Sequence, residues 1–229
     1  MSQKDLIQEL LQSGVLKTPS IISAFEKIDR KEFVQESYKK EAYEDYPLPI
    51  GEGQTISQPW TVAFMLELLQ PQPGEKILDI GSGSGYTTTL LSYCVSQRGI
   101  SNSQFPISNE MSKHSNQKKP GKVYGIEVVP ELCEFGKKNC EKYGFVSNGI
   151  AEFRCQDGNL GLEKYSPYDK ILVSAALPGK SIPEAWKAQL KINGKIVCPI
   201  MNSVWVFDKI SEGKFAEKEY PGFSFVPLV

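Results

Sequence analysis

Histidine is nearly missing: the 229 residues contain one, His114. A Ser-His-Asp triad, a multi-histidine metal site or a histidine general base would each have to use it. It lies in a tract of Ser, Asn and Gln, so a solvated surface histidine is the simpler reading and no metal site is expected. Long apolar runs are missing too. None approaches the roughly 18 residues that span a bilayer, and Met1–Asp5 has no apolar core behind it. Neither a membrane anchor nor a signal peptide is expected. No Cys-x-x-Cys occurs among the five cysteines, Cys94, Cys133, Cys140, Cys155 and Cys198. Their odd number and scatter predict buried free thiols in a reducing, cytoplasmic setting. Cys133 and Cys140, seven apart on one predicted helix, suit a shared packing face better than a disulfide. A charge surplus is also absent: 26 Lys and Arg face 27 Asp and Glu, for a net charge of −1. A dedicated nucleic-acid binder carries a basic excess, so no nucleic-acid partner is expected.

What remains is an ordinary globular composition, 40% hydrophobic and 23% charged. The chain is long enough to bury a core without staples. The first 45 residues read as helical. Leu6, Ile7, Leu10 and Leu11 form a stripe, and Gly14 stops it. Thr18-Pro19 reads as N-cap plus first-turn proline, and Ile21, Ile22, Phe25 and Ile28 continue at helical spacing. Tyr46–Gly53 is rich in breakers and reads as a loop. A helix over 59–69 puts Val62, Met65, Leu66 and Leu69 on one side. From Lys76, strands at 76–80, 123–127, 150–155, 168–173 and 195–199 alternate with helices at 86–95, 130–143 and 183–190. Asn193-Gly194 is the expected stop of the last helix. This order predicts an α/β, Rossmann-like doubly wound, mostly parallel sheet with helices on both faces. Val204–Phe207, Lys214–Glu219 and Phe223–Leu228 predict terminal antiparallel strands. Residues 96–120 interrupt the order; polar and net basic, they predict a mobile loop. Trp60, Trp186 and Trp205 lie at apolar spacing and are expected in the core or half-buried.

The sharpest motif is Ile77-Leu78-Asp79-Ile80 followed by Gly81-Ser82-Gly83-Ser84-Gly85-Tyr86. A buried strand ends near an acid, then a glycine-rich turn enters a helix. Such a turn brings backbone close to a ligand and offers it the positive end of a helix. Alone it is a weak signal, because nicotinamide sites have one too. Here the glycines alternate and an Asp precedes them. The form resembles motif I of class I S-adenosylmethionine-dependent methyltransferases, in which the Asp and turn hold the amino-acid end of the cofactor. Glu127 ends the next strand, where a carboxylate accepts both hydroxyls of a ribose, and Val128 follows it. Its spacing from the turn is normal once the 96–120 insertion is subtracted. Third comes Gln156-Asp157-Gly158, where Asp157 could take the adenine amino group. By itself that is an ordinary Asx turn.

The specific clue lies upstream. Ala42–Pro59, which includes Pro47-Leu48-Pro49-Ile50-Gly51-Glu52-Gly53-Gln54-Thr55-Ile56-Ser57-Gln58, resembles the signature loop of the protein-L-isoaspartate O-methyltransferases. The likeness spans nearly the whole chain. It includes Asp29–Val34, the glycine turn, Asp157-Gly158 with Leu160-Gly161, Pro167–Ile171, Val173–Ala176, Gln189–Lys195 and Phe225–Leu228. The resemblance implies methylation of the free α-carboxylate of isoaspartyl residues in damaged proteins, with S-adenosyl-L-methionine consumed and S-adenosyl-L-homocysteine formed. It implies Ser57 as the active-site serine, orienting the substrate carboxylate. N-capping of the helix from Pro59 is the competing role for Ser57. It further implies Gln54, Thr55 and Ile56 over the cofactor, and Ala175, Ala176 and Val226 beside the peptide. One domain is expected: an N-terminal helical segment and active-site loop (1–58), a cofactor-binding core (59–200) and C-terminal strands (201–229). A monomer is expected.

Three departures bear on substrate choice. The 96–120 insertion has no counterpart in the family pattern. Ile200–Ser203 replaces a glycine-rich turn. Leu177 stands where a small residue is usual, which predicts a narrower or more apolar pocket. The alternatives are a carboxyl methyltransferase for normal Asp or another carboxylate, a cofactor-binding module without turnover and, more distantly, a nicotinamide dehydrogenase.

Overall fold

A computed structural model describes residues 1–96, 120–179 and 181–228. His114 and most of the polar insertion lie outside the described residues. The chain opens with α1 (Gln3–Gln12) and α2 (Pro19–Lys27). Ser2 and Asp5 cap α1 reciprocally. Leu6, Ile7 and Leu10 are buried, but Leu11 is exposed, one position past the buried stripe. Thr18 does not cap α2; its hydroxyl donates to Glu67 Oε2 at 2.7 Å instead. Beyond Lys27 only two short 3₁₀ turns follow, Arg30–Phe33 and Glu36–Tyr38, so the helical reading of the first 45 residues is too generous.

Tyr46–Gly53 is not simply a loop. β1 (Leu48–Gly51) pairs antiparallel with β2 (Gln54–Ile56). Glu52 (φ 52°) and Gly53 (φ 69°) are both left-handed, as a two-residue turn matched to strand twist requires. Pro49 is tolerated because a two-stranded ribbon leaves each strand an open edge.

α3 (Pro59–Leu69) leads into β3 (Lys76–Ile80), α4 (Tyr86–Ser96), β4 (Lys122–Glu127), α5 (Pro130–Glu141), β5 (Ala151–Cys155), β6 (Tyr168–Val173) and α6 (Glu184–Gln189). β7 (Leu190–Ile200), β8 (Ser203–Ser211) and β9 (Lys214–Pro221) finish the sheet, whose order is β5-β4-β3-β6-β7-β8-β9. β5 to β7 run parallel, and β8 and β9 are antiparallel. The chain builds outward from β3 to β5, then returns to place β6 on the other side of β3. That reversal opens a crevice at the carboxyl ends of the central strands.

Two endings differ from expectation. α6 stops at Gln189 and β7 begins at once. Asn193 (φ 64°) therefore sits inside β7, where the register against β6 slips, as a bulge and not a helix stop. Phe223–Leu228 forms no antiparallel strand; Pro227 makes one parallel bridge to Ala176.

Strand alternation divides the core. Ile77 and Leu172 face an apolar cluster shared with α1 to α5. Leu78, Ile80, Ile171 and Val173 face another built around Trp186. The same alternation points Asp79 toward α4. Trp186 is fully buried, and Trp60 and Trp205 are half-buried. Four cysteines are buried, but Cys155 is exposed because β5 is an edge strand. At the amino ends of β3 and β4, the Val95 carbonyl accepts from Gly74 N at 2.9 Å and from Gly121 N at 3.0 Å. The chain thus leaves α4 and re-enters toward β4 at one point.

Candidate active site

A cleft of about 730 Å³, counting its open mouth, lies at the carboxyl ends of β3 and β4. Gln54, Thr55, Ile56, Ser57, Gly81, Ser82, Gly83, Ser84, Glu127, Val128, Gly158, Ala175 and Val226 line it. Asp79, Gly85, Asp157 and Ala176 do not line it; they stand behind it or at its rim.

The glycine turn is tied down by backbone. Gly81 N and Ser82 N both donate to Ile126 O at 2.9 Å. Gly83 N donates to Glu127 Oε2 at 2.9 Å, and Val129 N donates to Glu127 Oε1 at 3.1 Å. Each Glu127 oxygen keeps a further lone pair for a ligand hydroxyl. Behind the turn, Asp79 Oδ2 accepts from Thr87 Oγ1 at 2.8 Å and Thr88 Oγ1 at 2.6 Å. Burial pushes the Asp79 carboxyl up to about 6, against the pull of the Thr88 and Thr87 hydroxyls. Gly85 serves packing: at φ 81°, a Cβ there would lie 2.5 Å from Gly136 O of α5. Two buried polar atoms at the turn, Asp79 Oδ1 and Ser82 Oγ, have no hydrogen-bond partner among the described residues. A buried carboxylate oxygen left over beside the turn fits the ammonium of a ligand's amino-acid end, and the hydroxyl can donate to its carboxylate. Glu127 fits a diol.

The facing wall is the β1–β2 ribbon and Ser57. Ser57 is not the helix cap. Asp45 does that work from a distance, with Oδ1 accepting from Trp60 N at 2.8 Å and Oδ2 from Gln58 Nε2 at 3.0 Å. Ser57 lines the cleft, and its hydroxyl makes no hydrogen bond to the described residues. Arg30, fully buried, donates from Nε to Ala42 O at 2.9 Å and lies over the Tyr86 ring, 5.5 Å from its centroid. Ala176 builds the wall from behind: its N donates to Val226 O and its O accepts from Leu228 N, both at 2.8 Å.

Other expectations resolve differently. Leu177 packs into the cluster around Trp186 and is not in the cleft, so it does not narrow the pocket. The Ile200–Ser203 replacement is a tight turn whose Asn202 O accepts from Gly222 N and Phe223 N. Asp157 Oδ1 accepts from Asn159 N at 2.8 Å and Asn159 Nδ2 at 3.0 Å, capping a 3₁₀ turn over Gly158–Leu160. The sequence reading missed Thr87 and Thr88, although three successive threonines after a glycine turn were a visible signal. It also missed Tyr86 and Ser174, which line the cleft.

The family model for protein-L-isoaspartate(D-aspartate) O-methyltransferase matches residues 1–229. A protein-L-isoaspartate O-methyltransferase of Pyrobaculum islandicum is 38% identical over 226 residues, covering 97% of each chain. Among solved structures, a protein-L-isoaspartate O-methyltransferase superposes with a TM-score of 0.79 at 28% identity. That match covers 98% of this chain but 65% of the other, which is the longer molecule. A Plasmodium falciparum relative, solved with S-adenosyl-L-homocysteine, shares the fold with a TM-score of 0.80 at 22% identity, covering 100% and 99% of the two chains. Fold, glycine turn and whole-length similarity converge: this chain belongs to the protein-L-isoaspartate(D-aspartate) O-methyltransferase family.

Proposed function

We propose that the protein methylates the free α-carboxylate of L-isoaspartyl residues in peptides and damaged proteins, using S-adenosyl-L-methionine. The resulting ester closes to a succinimide without the enzyme, and hydrolysis returns some normal Asp. The cofactor, when bound, supplies an electrophilic methyl group on a sulfonium. Asp79 and the Gly81–Gly85 turn, with the Ser82 hydroxyl, hold its amino-acid end. Glu127 takes the ribose hydroxyls. Val128, Asp157 and Gly158 flank the base, and Gln54, Thr55 and Ile56 cover the cofactor. Ala175, Ala176 and Val226 form the peptide side.

The nucleophile needs no general base. A carboxylate has a reference pKa near ~4 and is ionised at neutral pH. The protein's work is therefore alignment and exclusion of water. Ser57 donates one hydrogen bond that orients the carboxylate; with no base beside it among the described residues, it is not itself a nucleophile. The observation that carries this reading is Ser57 in the cleft lining, its hydroxyl without a hydrogen bond to the described residues while Asp45 caps α3. The free thiols, Cys155 among them exposed, suit a cytoplasmic setting.

The test is a methyl-transfer assay with two peptides identical except for isoaspartyl or aspartyl linkage. Methyl ester should form on the isoaspartyl peptide. Activity confined to the aspartyl peptide would overturn the proposal.

A further inference from the structure

Gly158 lines the cleft, yet its carbonyl is engaged from behind. Trp186 Nε1 of α6 donates to Gly158 O at 2.8 Å, and Trp186 is fully buried. Three residues on, Gln189 uses both ends of its amide. Its Oε1 accepts from Leu162 N at 2.7 Å, and its Nε2 donates to Leu160 O at 2.9 Å. One helical turn thus presents both side chains to the same segment. Residues 158–162 have no partner strand, so side chains take the place of a sheet ladder. The fit is tight: a Cβ at Gly158 would lie 2.5 Å from Ile80 Cγ2, and one at Gly161 2.3 Å from Gln189 Oε1.

We propose that Trp186 and Gln189 are positioning residues that fix the base-binding rim of the cleft. They set affinity and selectivity for the purine without touching it. The inference rests on the reading of Asp157 and Gly158 as base-flanking. Gly158 O also accepts from Gly161 N at 2.9 Å, so loss of the Trp186 N–H leaves it one donor of two. Loss of the Gln189 amide strands the buried Leu162 N–H, which is costly to leave unpaired. In both cases the segment shifts to restore its bonds. Any such movement reaches the cleft directly, because Gly158 and Ile80 both line it. Leu162 anchors the segment in the core around Trp186, while its outer part is open: Leu160 is 66% exposed, and Asp157 and Asn159 are exposed.

Trp186→Phe keeps an aromatic ring and removes the N–H. Gln189→Met keeps the chain length and removes both amide bonds. Each is titrated calorimetrically with S-adenosylhomocysteine and with its hypoxanthine analogue, S-inosylhomocysteine, and melting is followed in parallel. Wild type should prefer adenine. Both variants should bind S-adenosylhomocysteine roughly tenfold more weakly, the size expected for one buried hydrogen bond. Their preference for adenine should shrink by a similar factor, and KM for S-adenosylmethionine should rise while kcat and peptide KM hold. Lower melting with affinity and base preference intact would overturn the proposal, as would weaker binding with unchanged preference. If Trp186→Phe does not fold, Gln189→Met decides by the same readings. A wild-type protein that binds no S-adenosylhomocysteine would instead defeat the proposed function, and this inference with it.

Discussion

The two walls of the cleft are held by different means. On the sheet side, the Gly81–Gly85 turn is bonded to the backbone of β4 and to the buried Glu127. Displacing it breaks several backbone bonds at once or drives Gly85 into α5. On the facing side, the β1–β2 ribbon is held by its own short ladder and by buried Leu48, Ile50 and Ile56, the start of α3 beside Ser57 by Asp45, and the 226–228 segment by one parallel bridge. The first wall is rigid as a unit. The second is assembled piece by piece, so single residues there can change without loss of the sheet. That division suits a constant cofactor facing varied peptide substrates.

Substitutions should separate the walls. Gly85→Ala is the harshest test of the rigid one. Its φ of 81° and the 2.5 Å approach to Gly136 O should cost at least about 3 kcal/mol, read as a fall in melting temperature of roughly 6–12 °C. A melt unchanged by that methyl would contradict the rigidity argued here. Asp79→Asn keeps an oxygen for the threonines but removes the charge. S-adenosylhomocysteine binding should weaken about 100-fold, the loss of about 2–3 kcal/mol from a charge-assisted bond.

Asp79 also sets a pH dependence of two signs. Its folded value of about 6 lies above that of an unfolded carboxyl. Its contribution to the stability of the free protein is therefore fully present below the unfolded value, near ~4, and is lost as pH rises through about 6. Ligand binding runs the other way, because a cationic amino group favours the carboxylate. Affinity for S-adenosylhomocysteine should fall below about pH 6 in wild type, and that fall should vanish in Asp79→Asn. Calorimetry across that range checks both.

On the facing wall, Ser57→Ala should lower kcat about tenfold, one hydrogen bond's worth, while S-adenosylhomocysteine affinity stays constant. An equal loss of cofactor affinity would move Ser57 to the other wall's account. The mildest change is Asp45→Ala. Loss of a helix cap costs about 1 kcal/mol, or roughly 2–4 °C of melting temperature, with KM for peptide rising because Ser57 sits at the start of that helix.

The rigid wall was legible in the sequence because its parts are local. Asp79, the glycines and Glu127 follow from strand alternation and from turns that continuous sequence specifies. The facing wall was less legible because its determinants are remote. Nothing near Pro59 announces that Asp45 caps the helix, and nothing near Thr18 announces Glu67. Prolines and glycines at 47–53 look alike whether they break a chain or shape a tight ribbon. Asn193-Gly194 likewise reads as a helix stop until the pairing of β6 and β7 reveals a bulge. The fates of Leu177 and Cys155 depended on which strand lies at the sheet's edge and which face a loop residue takes, and local pattern encodes neither.

The Val95 carbonyl, which gathers Gly74 and Gly121 to one atom, makes the sheet's far end a closed clasp. Segments hung from a clasp can be exchanged without changing the tension on what it fastens, since their ends are already joined. The clasp lies at the amino ends of β3 and β4, and the cleft at their carboxyl ends. A reporter domain, an affinity tag or a new pair of chain termini placed between Ser96 and Pro120 would therefore be joined to the enzyme at the end of the sheet away from its cleft.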